Sequence, residues 1–183
     1  MRSWPPTVPH KRPFRIGVSG AGDESDPDWE AIRAAAEAVG EAVARAEAIL
    51  VTGGLGGVMA AAARGAARAS GTTVGILPGA DAAAASAWIT IPIVTDMGHA
   101  RNVILVHTSE ALIAIGGRYG TLSEVALALR IGVPVAVIGS WRPERPGMPA
   151  PPITVFEDPA AAAAWALETA KERRRQVQAA GRR

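Results

Sequence analysis

Ala111-Leu112-Ile113-Ala114-Ile115 runs directly into Gly116-Gly117-Arg118-Tyr119-Gly120-Thr121. Five apolar residues with no polar interruption read as a strand buried on both faces, as in a parallel sheet covered by helices. The glycines that follow let the chain turn sharply, and Leu122 to Arg130 then reads as a helix. Strand, glycine turn and helix in that order form the repeating unit of an α/β fold.

The same unit recurs on either side. Phe14 to Ser19 reads as a first strand ending in Gly20-Ala21-Gly22, and Asp26-Pro27 opens a helix that runs from Trp29 to Ala46. Its apolar residues Ile32, Ala35, Ala36, Val39, Val43 and Ala46 recur at three and four, one packed face. Ala48 to Thr52 is a second strand, followed by Gly53-Gly54-Leu55-Gly56-Gly57 and a helix over Val58 to Ala69. Thr73 to Leu77 is a third strand, and Asp81 to Ala87 a turn or short helix. Ile89 to Val94 is an edge strand because of its internal Pro92. Asp96 to Val106 reads as a helix, Val135 to Ile138 and Ile153 to Phe156 as strands, and Asp158-Pro159 opens a last helix to about Gln178. The expectation is one α/β domain of the Rossmann type over residues 14–178, with a mainly parallel sheet and helices on both faces. A Pro-rich arm (1–13) precedes it and a basic tail (179–183) follows.

Composition narrows the function. Of 183 residues, 49% are hydrophobic, enough for one substantial core. Net charge is only +2, and much of the arginine lies near the two ends, so the body of the chain carries no basic, aromatic-rich face for nucleic acid. Cysteine is absent, which excludes disulfides, thiolate metal sites and cysteine nucleophiles. No run is long and apolar enough to span a membrane, and the first residues lack the apolar stretch of a secretory signal. A cytoplasmic protein is the expectation.

In an open parallel sheet, ligands bind beyond the carboxyl ends of the strands. Three glycine clusters fall there: Gly20-Ala21-Gly22, Gly53 to Gly57, and Gly116 to Gly120. Close backbone approach and a following helix N-terminus suit phosphate, although each cluster can equally serve only to turn or pack the chain. None is a P-loop and none carries the dinucleotide fingerprint. Thr121 and Glu124 have the spacing of a capping box. Alternatively, Glu124 is a carboxylate held beside a bound phosphate and sugar. Arg101 is either a surface charge or, with Asn102 and His99 nearby, part of the same crevice. His10 and His107 have no company that suggests a site, and no His, Asp or Glu cluster has metal-ligand spacing. Ser19 and Ser123 lack the nucleophile-elbow pattern. Trp141 follows a strand end and either flanks the crevice or packs.

The stretch Gly116-Gly117-Arg118-Tyr119-Gly120-Thr121-Leu122-Ser123-Glu124 resembles the PGGxGTxxE motif of the LONELY GUY (LOG) family, and Gly53-Gly54-Leu55-Gly56-Gly57-Val58-Met59 is similar to that superfamily's GGxxGLM turn. Arg101 stands where the family carries its upstream arginine. This resemblance implies a phosphoribohydrolase that cleaves nucleoside 5′-monophosphates to base and ribose 5-phosphate. Arg101 and Glu124 would be the catalytic pair. Gly20, Gly53, Gly54, Gly57, Met59, Asn102, Gly116, Gly117, Arg118, Tyr119, Gly120 and Thr121 would line the phosphate and ligand site. The Arg101-Asn102 pair, the Val74 to Asp81 segment and the form of the last turn look closer to a sister group, the molybdenum-cofactor carrier proteins. There the implied role is to bind a nucleotide or pterin phosphate such as the molybdenum cofactor. The family usually forms homodimers, so a homodimer or higher homo-oligomer is expected. Lysine decarboxylation, an old label for the family, is excluded because no lysine lies between Lys11 and Lys171 to anchor pyridoxal phosphate. Binding module and hydrolase both stay open.

Overall fold

A computed structural model describes residues 12–144 and 146–180, with side chains to residue 176. Seven strands form one sheet: β1 (Arg15–Gly20), β2 (Ile49–Thr52), β3 (Thr73–Leu77), β4 (Ile91–Val94), β5 (Ala111–Ile115), β6 (Val135–Ile138) and β7 (Ile153–Val155). Five helices flank it: α1 (Trp29–Arg45), α2 (Gly57–Arg68), α3 (Arg101–Thr108), α4 (Tyr119–Arg130) and α5 (Pro159–Ala180). The strand order is β4-β3-β2-β1-β5-β6-β7, and every neighbouring pair is parallel. This is the single α/β domain of Rossmann type that the alternating pattern predicts. The first eleven residues of the expected arm, and residues 181–183 of the expected tail, lie outside the described residues.

Strand β5 shows why helices cover both faces. Ala111, Ile113 and Ile115 join a core with Val39 and Val43 of α1, Ala62 of α2 and Ala166 of α5. Leu112 and Ala114 point the other way, into a second core with Leu105 of α3 and Val125 of α4. Alternation along one strand thus feeds two cores. On the first face the small residues matter most. A side chain on Gly40 of α1 would run into the backbone of Ala62, and one on Gly65 of α2 into Glu37, so the two helices meet at backbone distance. Glu37 then gathers Arg33, Arg64 and Arg68 at the edge of that contact.

At the amino-terminal pole of the sheet, buried Glu110 ties the chain together. Its Oε2 accepts from the Arg15 backbone N–H at 3.0 Å and from Arg174 Nη2 at 2.6 Å, and its Oε1 from Arg174 Nε at 2.7 Å. Arg174 also donates to the carbonyls of Arg12 (2.6 Å) and Pro13 (3.1 Å) and lies 3.9 Å above the Phe14 ring. Burial pushes the Glu110 carboxyl up. Arg174 and the Arg15 N–H and charge outweigh it and hold the group below its ordinary range.

Two helix starts, those of α3 and α4, differ clearly from expectation. Helix α1 runs from Trp29 as expected, although Pro27 lies ahead of its first turn rather than in it. Helix α3 begins at Arg101, not near Asp96, because Asp96 (φ 52°) and Gly98 (φ 54°) take left-handed backbone that no helix tolerates. A 3₁₀ turn, Gly98–Ala100, leads into it instead. Helix α4 begins at Tyr119, three residues earlier than Leu122. Edge strand β4, with its internal proline, is where the sequence puts it, although it starts at Ile91.

Candidate functional site

Strand β1 leads through α1 to β2 on one side, and β5 leads through α4 to β6 on the other. The order in which strands are added therefore reverses between β1 and β5, which are parallel, hydrogen-bonded neighbours ending at Gly20 and Ile115. This is the position where doubly wound sheets open a ligand crevice. All three glycine turns stand at this pole, on the adjacent strands β2, β1 and β5.

The first two turns are locked to each other. The Val58 N–H donates to the Ala21 carbonyl at 2.9 Å. Gly57, at φ 60°, lies so close to Ala21 that a side chain there would run into the carbonyl. Gly20 lies against Val58 and the Ile115 carbonyl, and Gly54 against Leu77 and Gly75. Close packing at all three, with left-handed backbone at Gly54 and Gly57, accounts for glycine at these positions. Gly53 differs, because a side chain there would collide with the guanidinium of Arg101 and come within 2.5 Å of Met59 Sδ. Its bare Cα makes room for Arg101, and buried Met59 fills the wall beside it.

The third turn is built otherwise. Gly116 (φ 52°) and Gly117 (φ 96°) bring the chain from β5 into α4. The helix has no side-chain cap. Its first carbonyl bond is Leu122 N–H to Arg118, so the N–H groups of Tyr119, Gly120 and Thr121 have no partner among the described residues. The capping-box reading of Thr121 and Glu124 is thereby corrected. Thr121 is the third residue of the helix, and Glu124 turns away from its start.

Glu124 instead crosses to other elements. Its Oε1 accepts from Arg101 Nη1 of α3 at 3.1 Å, and its Oε2 takes the hydroxyl of Ser19 at the end of β1. The side chains of Arg101 and Glu124 are 11% and 7% exposed, so the pair is buried rather than a surface ion pair. Burial pushes the Glu124 carboxyl above its ordinary range; Ser19 and Arg101 draw it part of the way back. Burial likewise lowers the Arg101 guanidinium, with Glu124 opposing. Both shifts agree that loss of water outweighs mutual attraction.

Next to this pair, Asn102 Nδ2 donates to Ser123 Oγ at 3.0 Å. Asn102 Oδ1, Arg101 Nε and Thr121 Oγ1 are buried with no hydrogen-bond partner among the described residues. At the mouth, Arg118 reaches across the crevice to Asp23 at 3.3 Å and to the Ser25 hydroxyl, joining the loop after β1 to the loop after β5. Hydrogen bonds from Ser25, helped by Arg118, hold the Asp23 carboxyl low. Trp141 Nε1 donates to the Gly117 carbonyl at 3.1 Å, so Trp141 belongs to this turn. His99 sits in the exposed 3₁₀ turn ahead of α3, His107 lies at the far end of α3, and His10 is outside the described residues. Among the described residues no group of three His, Asp or Glu is placed to hold a metal ion. By sequence, Ser19 is considered only as a nucleophile and set aside, not as the partner of Glu124. Its only signal was a polar residue ending an otherwise apolar strand.

With this geometry in hand, the comparisons decide the family. Residues 13–168 match the family model described as the SLOG cluster4 family. The chain belongs to that family. An uncharacterised protein of Archaeoglobus fulgidus is 44% identical over 156 residues, 85% of this SLOG cluster4 chain and 96% of the relative. Among solved structures, the molybdenum cofactor binding protein of Rippkaea orientalis is 31% identical, with TM-score 0.75 over 87% of this chain and 98% of that one. The Moco carrier protein of Chlamydomonas reinhardtii is 36% identical, with TM-score 0.75 over 88% and 99%. The resemblance to the LOG-like superfamily, and to its carrier-protein side, is therefore shown for this SLOG cluster4 member. No helix among its described residues is long and apolar enough to cross a membrane.

Proposed function

We propose that this SLOG cluster4 protein binds a phosphate-bearing small molecule of the nucleotide or pterin class, with the phosphate on the amino-terminal end of α4. The observation that carries this reading is the uncapped start of that helix. Among the described residues three backbone N–H groups lack partners there, and so do the buried Thr121 hydroxyl and Asn102 carbonyl oxygen beside them. A helix amino terminus carries about half a positive charge, and each buried polar group left unpaired costs roughly 1–3 kcal/mol. A bound anion, with the water it brings, relieves both.

Carriage is favoured over catalysis by what Glu124 already does. Both of its oxygens are engaged, by Arg101 and Ser19, and a carrier breaks no bond. The molybdenum cofactor fits as cargo through its phosphate and its flat pterin. Gly117, Gly120 and Thr121 would hold the phosphate, with Arg118 swinging from Asp23 to add charge, and Asn102 Oδ1, whose Nδ2 is engaged by Ser123, would accept from a hydroxyl, amine or water of the bound ligand. The chain has no cysteine to offer the metal a thiolate, so recognition would rest on the organic part.

One observation supports the second reading, a nucleoside 5′-monophosphate phosphoribohydrolase. Arg101 and Glu124, the pair implied by the LOG resemblance, do meet. Glycosidic cleavage passes through an oxocarbenium-like state that a carboxylate stabilises, and Arg101 would have to release Glu124 for that task. The deciding experiment incubates the protein with AMP, GMP, CMP and a cytokinin riboside monophosphate and follows free base by chromatography. Release by the wild type and not by Glu124→Gln establishes the hydrolase and overturns the carrier. Binding without release leaves the carrier.

The reading includes a homo-oligomer. Trp88, Ile91, Ile93, Val94, Met97 and Val103 are large apolar residues left exposed on and around β4 and α3, more than scattered surface exposure explains. A second copy covering them accounts for the patch. Light scattering tests this, with Ile93→Lys expected to yield the monomer.

A further inference from the structure

On the β6 side of the crevice two aromatic rings meet outside both cores. Tyr119, the first residue of α4, is 80% exposed. Its ring stacks on Trp141 with centroids 5.8 Å apart and planes inclined by 28°. The indole is fixed in turn by its bond to the Gly117 carbonyl. A large ring so exposed contributes little to packing, and neither ring belongs to a core cluster. Yet both are anchored to the turn whose backbone N–H groups have no partner among the described residues, and beside which Thr121 Oγ1 and Asn102 Oδ1 are buried and likewise without one.

A phosphate cradle of backbone N–H groups does not distinguish one phosphate ester from another. Recognition of the remainder of the ligand needs a second surface. We infer that the Tyr119–Trp141 pair is that surface: a stacking platform for the planar heterocycle of the ligand whose phosphate rests on α4. The inference rests on the phosphate reading above and adds to it the surface that selects a heteroaromatic phosphate over a plain sugar phosphate. The hydroxyl and ring edge of Tyr119 stay in water while its face meets the ligand, an arrangement suited to an amphipathic side chain. Stacking depends on a π face rather than on a particular set of hydrogen bonds, so the platform accepts purine and pterin rings alike. Arg118, on the other flank of the same turn, supplies positive charge between ring and phosphate.

The test titrates the full-length protein with two probes, guanosine 5′-monophosphate and ribose 5-phosphate, by calorimetry and by quenching of tryptophan fluorescence. The expected result is at least tenfold tighter binding of guanosine 5′-monophosphate. Tyr119→Ala removes most of that advantage by weakening guanosine 5′-monophosphate far more than ribose 5-phosphate, and Tyr119→Phe keeps it. Equal affinity of the two probes for the wild type overturns the platform and leaves the phosphate reading standing. So does a Tyr119→Ala variant that weakens both probes alike. Failure of both probes to bind the wild type overturns the platform and the phosphate reading together. Dissociation of an oligomer by Tyr119→Ala, with unchanged probe affinities, assigns the rings to a protein interface instead.

Discussion

Arg101 Nη1 lies 3.1 Å from Glu124 Oε1, although the two residues are 23 positions apart on different helices with β5 between them. The pair is buried, so removing one partner strands a charge. Arg101→Met is expected to cost about 3 kcal/mol, the usual penalty for breaking a buried ion pair from one side. Urea denaturation measures this. The double variant Arg101→Met/Glu124→Leu should recover most of the loss. A single variant as stable as the wild type would show that Glu124 is uncharged in the folded chain.

The two buried glutamates should respond oppositely to pH. Glu110 sits below its ordinary value of 4.5, so the folded chain releases that proton more readily than the unfolded chain. Its contribution is present above about pH 4.5 and is lost as pH falls through the folded value. Glu124 sits above 4.5. Its contribution is fully present below that value and is lost as pH rises through the folded one. Thermal melts from about pH 3 to about pH 8 should therefore show the gap between wild type and Glu110→Gln widening with rising pH. The gap between wild type and Glu124→Gln should move against the wild type over the same rise.

Thr121→Val separates stability from binding. The hydroxyl it removes is buried and unpartnered, so the variant should be as stable as the wild type or about 1 kcal/mol more so. Its affinity for inorganic phosphate or a nucleotide should fall. Unchanged affinity would remove Thr121 from the ligand site.

Gly117→Ala places a side chain at φ 96° directly against Thr121. The turn must shift, and affinity for nucleotide should drop at least tenfold while far-ultraviolet circular dichroism stays the same. Retained affinity would move the phosphate away from this turn.

Gly40→Ala and Gly65→Ala should each lower stability by roughly 1–3 kcal/mol, because both force α1 and α2 apart at a backbone contact. Neither site touches the crevice, so probe affinity should not change. Equilibrium unfolding and calorimetry on the same samples check both halves.

The sheet was legible because most of its strands are short apolar runs that stop at glycine or proline. Thr73 to Leu77 and Ala111 to Ile115 match the observed strands residue for residue. Helix starts were harder. Gly116 to Gly120 reads as turn all the way to Thr121, yet only Gly116 and Gly117 take left-handed backbone, and Gly120 is already helical despite its poor propensity. Asp96 reads as the first residue of a helix, but its backbone is left-handed. Arg101 and Glu124 were named from the resemblance; that they touch is a matter of tertiary packing. Ser19 and Glu110 act through partners 105 and 64 positions away, and no local pattern announces such contacts.

Glu110 and Arg174 hold the first described residues of the chain, Arg12 to Phe14, against the last turns of α5, at the pole of the sheet opposite the crevice. A linker of modest length could join α5 back to β1 without crossing either helical layer. New ends could then be cut elsewhere in the chain, and fused domains or surface tethers attached at this pole would leave the opposite opening unobstructed.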